Sequence, residues 1–161
     1  MTQTMIQSAV TVRQLVIGSI QAIPDDWYDV QPEAFNHTIK WNVGHIITMM
    51  NWFLRNSVPI DYKTPNNYEA LFVTGTKPSD WTTIPPTKDE LIRNLSDQCE
   101  ALANVTVESL EKTLAVPFEL GPFRFYTAGE LFNFAVAHEA VHLGMISGIS
   151  KVVAASLSTA K

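Results

Sequence analysis

Residues 127–149, TAGELFNFAVAHEAVHLGMISGI, are the most informative part of the sequence about the fold, because they combine a helix start with a helical repeat. The first four residues follow the Ser/Thr-x-x-Glu pattern, in which two side chains satisfy free backbone N–H groups at a helix N-terminus. Apolar residues and two histidines then recur at spacings of three and four, the period of one helix face. The members of this face are Leu131, Phe134, His138, Val141, His142, Met145 and Ile149. The stretch therefore predicts a helix with both histidines turned inward.

Three further helices are predicted upstream of this stretch. The first covers about Thr4–Ala22, where apolar residues keep the helical period until Pro24 follows. The second covers about Thr38–Arg55, and His45 lies on its apolar stripe. The third begins at residues 87–90, TKDE, which repeat the capping pattern.

Two segments between these helices carry other patterns. Residues 57–86 contain five prolines, which exclude one long helix, and four large aromatic side chains, which predict a crossover packed onto the body. Residues 114–125 alternate around Gly121-Pro122, which fits either a short hairpin or an extended strap. The predicted fold is all-α, with residues 1–161 as one domain. It is an antiparallel four-helix bundle with one long crossover between helices 2 and 3 and a short extended strap before helix 4.

Composition and charge limit the classes of protein to which the chain can belong. With 46% hydrophobic and 17% charged residues, the 161-residue chain has the composition of a folded domain. Its 11 basic and 16 acidic residues form no basic stripe, so no nucleic-acid partner is expected. No secretory signal and no uninterrupted apolar run of about 18 residues is found, which predicts a cytoplasmic protein without membrane contact. The single cysteine, Cys99, excludes an internal disulfide and a cysteine-based zinc cluster.

Histidines therefore become the leading candidates for metal ligands. His138 and His142 are four residues apart, so on a helix their side chains lie about 6 Å apart on one face. His45 on a facing helix would complete a site with three protein ligands and open positions, which is typical of catalytic metal sites. Zinc, nickel, iron and copper all accept imidazole ligands. The alternative is that each histidine is a core residue hydrogen-bonded to a carbonyl group. His37 is predicted to be a helix-start or surface residue, because eight helical residues place it about 12 Å from His45.

The residues HEAVH, 138–142, also match the H-E-x-x-H motif of zinc metalloproteases. Such enzymes usually take a third ligand from downstream, whereas residues 143–161 contain no His, Asp or Glu. Peptidase activity is therefore not favoured. Glu139 fits three roles: a flanking or surface carboxylate, a partner of a metal ligand, or a proton acceptor in catalysis. It is the candidate catalytic residue.

Two motifs resemble the DinB/YfiT-like superfamily: WNVGHI at residues 41–46 and AHEAVHLG at residues 137–144. The resemblance covers nearly the whole chain and implies a four-helix bundle, often a homodimer, with a metal bound by His45, His138 and His142. Relatives include metal-dependent thiol S-transferases that use bacillithiol, mycothiol or glutathione. Family members commonly carry Gly-Gln after the last motif, where this chain has Gly144-Met145. That difference removes a polar group near the site.

Three functions remain open on this basis. The first is a thiol S-transferase in which a divalent transition metal, such as zinc, nickel or iron, activates a low-molecular-weight thiol for attack on a small-molecule substrate. The second is a metal-dependent hydrolase in which the ion activates water and Glu139 accepts the proton. The third is a non-catalytic metal-binding stress-response dimer.

Overall fold

The computed structural model describes residues 2–159, and most of these residues are helical, as predicted. The helices are α1 (Thr2–Gln21), α2 (Ile39–Leu54), α3 (Tyr68–Phe72), α4 (Lys88–Ala103), α5 (Val107–Leu110) and α6 (Ala128–Thr159). The strands are β1 (Thr113–Leu120) and β2 (Phe123–Thr127), and short 3-10 turns cover Asp25–Trp27 and Pro78–Asp80. The long helices α1, α2, α4 and α6 correspond to the four predicted from the sequence.

Local capping explains where three of the long helices begin. Thr38 accepts a hydrogen bond from the backbone N–H of Trp41 and caps α2. Thr87 and Glu90 form a reciprocal capping box at the start of α4. The Thr127 hydroxyl accepts a hydrogen bond from the backbone N–H of Glu130, whose carboxylate accepts one from the backbone N–H of Thr127. Both predicted capping boxes are therefore confirmed.

The four long helices contact one another in pairs, and these contacts position the site. α2 packs against α6 and α4, and α1 packs against α4 and α6. Buried apolar residues between them form two clusters, one with Val16, Ile47 and Ile146 and the other with Ile6, Phe53 and Phe132. These pairs are the contacts that a bundle needs. The antiparallel four-helix bundle itself stays a prediction.

The all-α class needs one correction, because the segment before α6 is a β-hairpin. β1 and β2 pair antiparallel, with Phe118 opposite Phe125 and Leu120 opposite Phe123. The turn uses Gly121 at φ +55°, a left-handed conformation that glycine adopts without steric cost. The strap is thus a paired hairpin, the other alternative left open by the sequence. It contacts α6 through both strands.

The crossover, residues 57–86, lies against α2 through α3. This contact depends on Gly44, since a Cβ atom there would lie 2.5 Å from the Phe72 ring. Any larger residue would push α3 away from α2. The crossover is also tied to α4, because the Tyr62 hydroxyl donates to Asn94 Oδ1 at 2.8 Å.

The inward face predicted for the last helix is wrong at two positions. Val141 is 65% exposed and Met145 is 41% exposed. Val141 lies one residue, or about 100° of rotation, from His142, which carries it away from the packed side. Within residues 128–158, α6 is long and apolar enough to cross a membrane, judged by length and composition alone. Core helices of soluble proteins meet the same criterion, so the expected absence of membrane contact stays a prediction.

Candidate metal centre

The structure brings His45 of α2 together with His138 and His142 of α6. One ring nitrogen from each lies within 4.8 Å of the others, an arrangement that can hold a metal ion. The ring centroids are 5.1 Å apart for His45 and His138, 4.5 Å for His45 and His142, and 4.6 Å for His138 and His142. More than 70 residues separate the two helices in the sequence, so it is the close packing of α2 against α6 that brings the three rings together.

The orientation of His45 is set by the crossover. Its Nδ1 lies 2.5 Å from the backbone carbonyl oxygen of Phe72. A carbonyl can only accept, so Nδ1 carries the proton and donates, which leaves Nε2 with a free lone pair. Gly44 permits this bond by letting the Phe72 ring pack against the backbone of α2. Trp41 stacks on the imidazole with ring centroids 4.4 Å apart.

The orientation of His142 is set by Asn42. The Asn42 amide nitrogen donates to the carbonyl oxygen of Thr38 at 2.9 Å, so its Oδ1 faces His142. Nδ1 of His142 lies 2.8 Å from that oxygen and is therefore the donor. Its Nε2 is left free, as in His45. Partners of this kind fix the tautomer of metal-binding histidines and hold the ring in place.

His138 differs from the other two histidines. Its ring has no hydrogen-bond partner within residues 2–159, and it contacts the edge of Phe53 with centroids 5.4 Å apart. It is half-buried and borders a cavity described below. The His138 ring is consequently the one of the three with the greatest freedom to change its orientation.

Electrostatics favour the neutral form of all three rings. Burial lowers the pKa of His45 to about 4, although the bond to Phe72 opposes this shift. Burial, with repulsion from the other two rings, lowers the pKa of His142 to about 3. Burial also lowers the pKa of His138. Neutral imidazole is the form that binds metals, so the donor set fits a divalent transition-metal ion at neutral pH.

His37 lies outside this cluster, directly before the residue that caps α2. Its ring stacks on Trp41 with centroids 3.7 Å apart, and its Nε2 is 3.2 Å from the carbonyl oxygen of Thr76. It packs at the helix start, which agrees with the helix-start role expected for it.

Glu139 is buried, with 2% of its surface exposed, so a surface position is wrong for this residue. Its two carboxylate oxygens accept from Nε and Nη2 of Arg13 at 2.6 and 2.8 Å. Arg13 belongs to α1 and is fully buried. The carboxylate therefore joins α6 to α1, and its catalytic role stays a prediction.

The Arg13 side chain also begins a chain of buried hydrogen bonds. Its Nη1 donates to Gln98 Oε1 at 2.6 Å, and Gln98 Nε2 donates to Asn51 Oδ1 at 2.7 Å. Asn51 in turn donates to the carbonyl oxygen of Tyr62 at 3.1 Å. The network links α1, α4, α2 and the crossover to the residue that follows His138.

Sequence reasoning missed Arg13 and Asn42 as supporting residues, although both left a signal. Arg13 lies four residues after Ala9 and three before Val16, so it is a charged residue on the apolar stripe of α1. Asn42 lies within the WNVGHI motif, three residues before His45. A polar residue on an inward face needs a buried partner, and that requirement pointed to both.

Together these features define a class: a mostly helical protein with a candidate three-histidine metal centre between two long helices. The family model of the DinB superfamily matches residues 9–146, a range that includes all three histidines. The chain therefore belongs to the DinB superfamily, which confirms the resemblance seen in the sequence. No curated protein matches the chain.

Proposed function

We propose that the protein binds one divalent transition-metal ion through His45, His138 and His142 and acts as a thiol S-transferase. The observation that carries the proposal is the convergence of three imidazole nitrogens within 4.8 Å of one another. The proposal includes the finer fold expected from the sequence, a single antiparallel four-helix-bundle domain. The substrate would be a small molecule, with a low-molecular-weight thiol as co-substrate.

The hydrogen bonds of the rings support metal binding over a purely structural role. His45 and His142 each use Nδ1 for a fixed acceptor in the protein, Phe72 and Asn42 respectively. Their remaining nitrogens are acceptors within a cluster that contains only other neutral rings. Acceptor nitrogens that converge within 4.8 Å of one another form a donor set that one cation can share.

A bound ion would supply positive charge that lowers the pKa of a coordinated thiol. Cys99, the single cysteine of the chain, is not a competing nucleophile, because burial raises the pKa of its thiol and it is not part of the cluster. The sulfur therefore comes from a substrate. With an aryl halide as acceptor, a carbon–sulfur bond forms, the halide leaves with the bonding electron pair, and the thiol proton passes to solvent.

The hydrolase alternative has weaker support because its expected proton acceptor is engaged. Both oxygens of Glu139 accept hydrogen bonds from the guanidinium of Arg13. A carboxylate that is bonded through both oxygens to a side chain of α1 is poorly placed to take a proton from a water molecule at the histidine cluster. Glu139 is better placed to hold α6, and with it His138, in position.

The proposal also includes a cytoplasmic homodimer. Its structural support is the apolar surface that α6 leaves exposed at Val141, Met145 and Val152. Apolar patches of this kind commonly mark interfaces. Sedimentation of the wild type should give the mass of two chains, and a Val141→Glu/Met145→Glu variant should sediment as one. A wild type that sediments at 17.9 kDa would contradict the dimer.

The function is tested with protein purified without an affinity tag, whose metal content is measured before any assay. Glutathione, bacillithiol and mycothiol are each mixed with a chlorodinitrobenzene, and thiol loss and product are followed. We expect both metal and activity in the wild type and in His37→Ala, the matched control outside the cluster, and neither in His138→Ala. Metal without thiol transfer would favour the non-catalytic alternative, and casein cleavage would favour the hydrolase.

A further inference from the structure

A cavity of about 470 Å³ lies between α2, α6, β1 and the part of the crossover that directly follows α3. Met49, Trp52 and Phe53 form its α2 side, and Val73 and Leu120 close it from the crossover and the hairpin. His138 forms part of its wall. The cavity has the size of a small-molecule site, since such sites commonly enclose about 300–1,000 Å³.

The walls of this cavity carry no charged side chain. The side chains of the walls that carry a polar group are His138, Trp52 with its indole N–H, and Thr74, whose Oγ1 is 4.0 Å from the sulfur of Met49. A charged ligand would lose its hydration here without gaining a partner of opposite charge. Aromatic and thioether surfaces instead favour an uncharged, flat, apolar molecule.

A neighbouring cavity shows the opposite character. It is about 390 Å³ in volume, lies beside the same Trp52, and is lined by Arg55, Lys63 and Glu69 but by none of the three clustered histidines. The apolar cavity is therefore the one that borders the candidate metal centre. It does so through His138, whose ring makes no hydrogen bond within residues 2–159.

We propose that the apolar cavity binds the acceptor substrate, an uncharged apolar molecule of aromatic type, and presents its reactive atom toward His138. The role of the bound molecule as acceptor rests on the proposed function, but its binding to the cavity can be measured without metal. Its specificity would come from the exclusion of charge, with Leu120 and Val73 covering the bound molecule.

The first experiment measures binding to the metal-free protein with the neutral fluorophore N-phenyl-1-naphthylamine. Competition compares 2-naphthylmethanol with 2-naphthoate, which has a similar shape and a negative charge. We expect the alcohol to compete at least about tenfold better than the carboxylate, because the carboxylate must lose its hydration in an uncharged cavity. Equal competition would overturn the proposal.

Matched variants locate the bound probe. Leu120→Glu adds a charge at a partly exposed position in the cavity wall, whereas Val116→Glu adds one on the same strand, outside the cavity. We expect Leu120→Glu to weaken probe binding by about tenfold or more and Val116→Glu to change it by less than about twofold. Unchanged probe binding by Leu120→Glu, or a loss of probe binding in Val116→Glu alone, would overturn the assignment. Both positions are on the surface, and circular dichroism verifies that each variant folds.

The distance between the bound ligand and the candidate metal centre is probed by NMR relaxation in protein loaded with paramagnetic Co²⁺. The protons of bound 2-naphthylmethanol should relax faster in the cobalt-loaded wild type than in the zinc-loaded protein, and this difference should vanish in Leu120→Glu. Metal binding without probe binding would contradict the cavity assignment alone. Probe binding by a protein that takes up no metal would contradict the proposed function alone.

Discussion

Two neighbouring residues of α6, His138 and Glu139, are ionisable groups that the protein stabilises in opposite ways. His138 and the other two clustered rings avoid charge, since burial lowers the pKa of each. Glu139 instead faces a fully buried Arg13 in a two-bond ion pair. Adjacent positions of α6 thus have opposite needs: His138, with His142 and with His45 of α2, offers nitrogen donors to a cation, whereas Glu139 already has a cationic partner in Arg13.

Removing the guanidinium of Arg13 should have the largest effect on the free energy of unfolding. Arg13→Ala leaves the Glu139 carboxylate buried without its partner, and breaking a buried ion pair in this way costs about 3–5 kcal/mol of unfolding free energy. Urea denaturation measures this loss. The double variant Arg13→Met/Glu139→Leu should recover most of it, because no charge is then buried alone. A single variant within about 1 kcal/mol of the wild type would show that the pair has little influence on stability.

Adding a metal ion to the three clustered histidines should stabilise the protein. A metal that binds only the folded state contributes about 2.7 kcal/mol when its free concentration is about one hundred times its dissociation constant. We expect zinc to raise the melting temperature of the wild type and of His37→Ala, and to leave His45→Ala nearly unchanged. An equal rise in His45→Ala would place the metal elsewhere on the chain.

The hydrogen bond that orients His142 should affect metal affinity more than stability. Asn42→Ala leaves Nδ1 of His142 without its acceptor, and loss of such a partner typically lowers metal affinity about 10–100-fold. Thr48→Val is the matched control, because Thr48 is also buried on α2 and, within residues 2–159, its hydroxyl donates to the carbonyl oxygen of Gly44 and bonds to none of the clustered histidines. Competition with a chelator measures both affinities, and equal values would exclude an orienting role for Asn42.

The smallest effect, taken over one pH unit, is the contribution of a single histidine to the pH dependence of stability of the metal-free protein. Unfolded histidine titrates near pH 6.5, whereas burial lowers the pKa of His45 to about 4. Between these values the unfolded chain binds more protons, so stability falls as pH falls, by up to about 1.4 kcal/mol per pH unit for each such group. Urea denaturation between pH 4 and 6.5 should show this slope, and His45→Gln should reduce it. An unchanged slope in His45→Gln would assign the dependence to other groups.

Features that depend on residues close together in the chain could be predicted from the sequence. The capping boxes at Thr87 and Thr127 each join residues three apart, and the spacing of His138 and His142 places both on one side of a helix. Such interactions form whenever the local helix forms. The two motifs with three histidines likewise identified the family, which the match to the DinB superfamily confirms.

Features that depend on which distant segments contact each other became visible only in the folded protein. Arg13 and Glu139 are 126 residues apart, and His45 bonds to a backbone carbonyl in the crossover, an acceptor that every residue type carries and no sequence pattern reveals. The choice of a hairpin over a strap and the outward position of Val141 were likewise settled by packing against neighbouring elements. Helical periodicity indicates which residues share a face, but only the surrounding elements determine where that face ends.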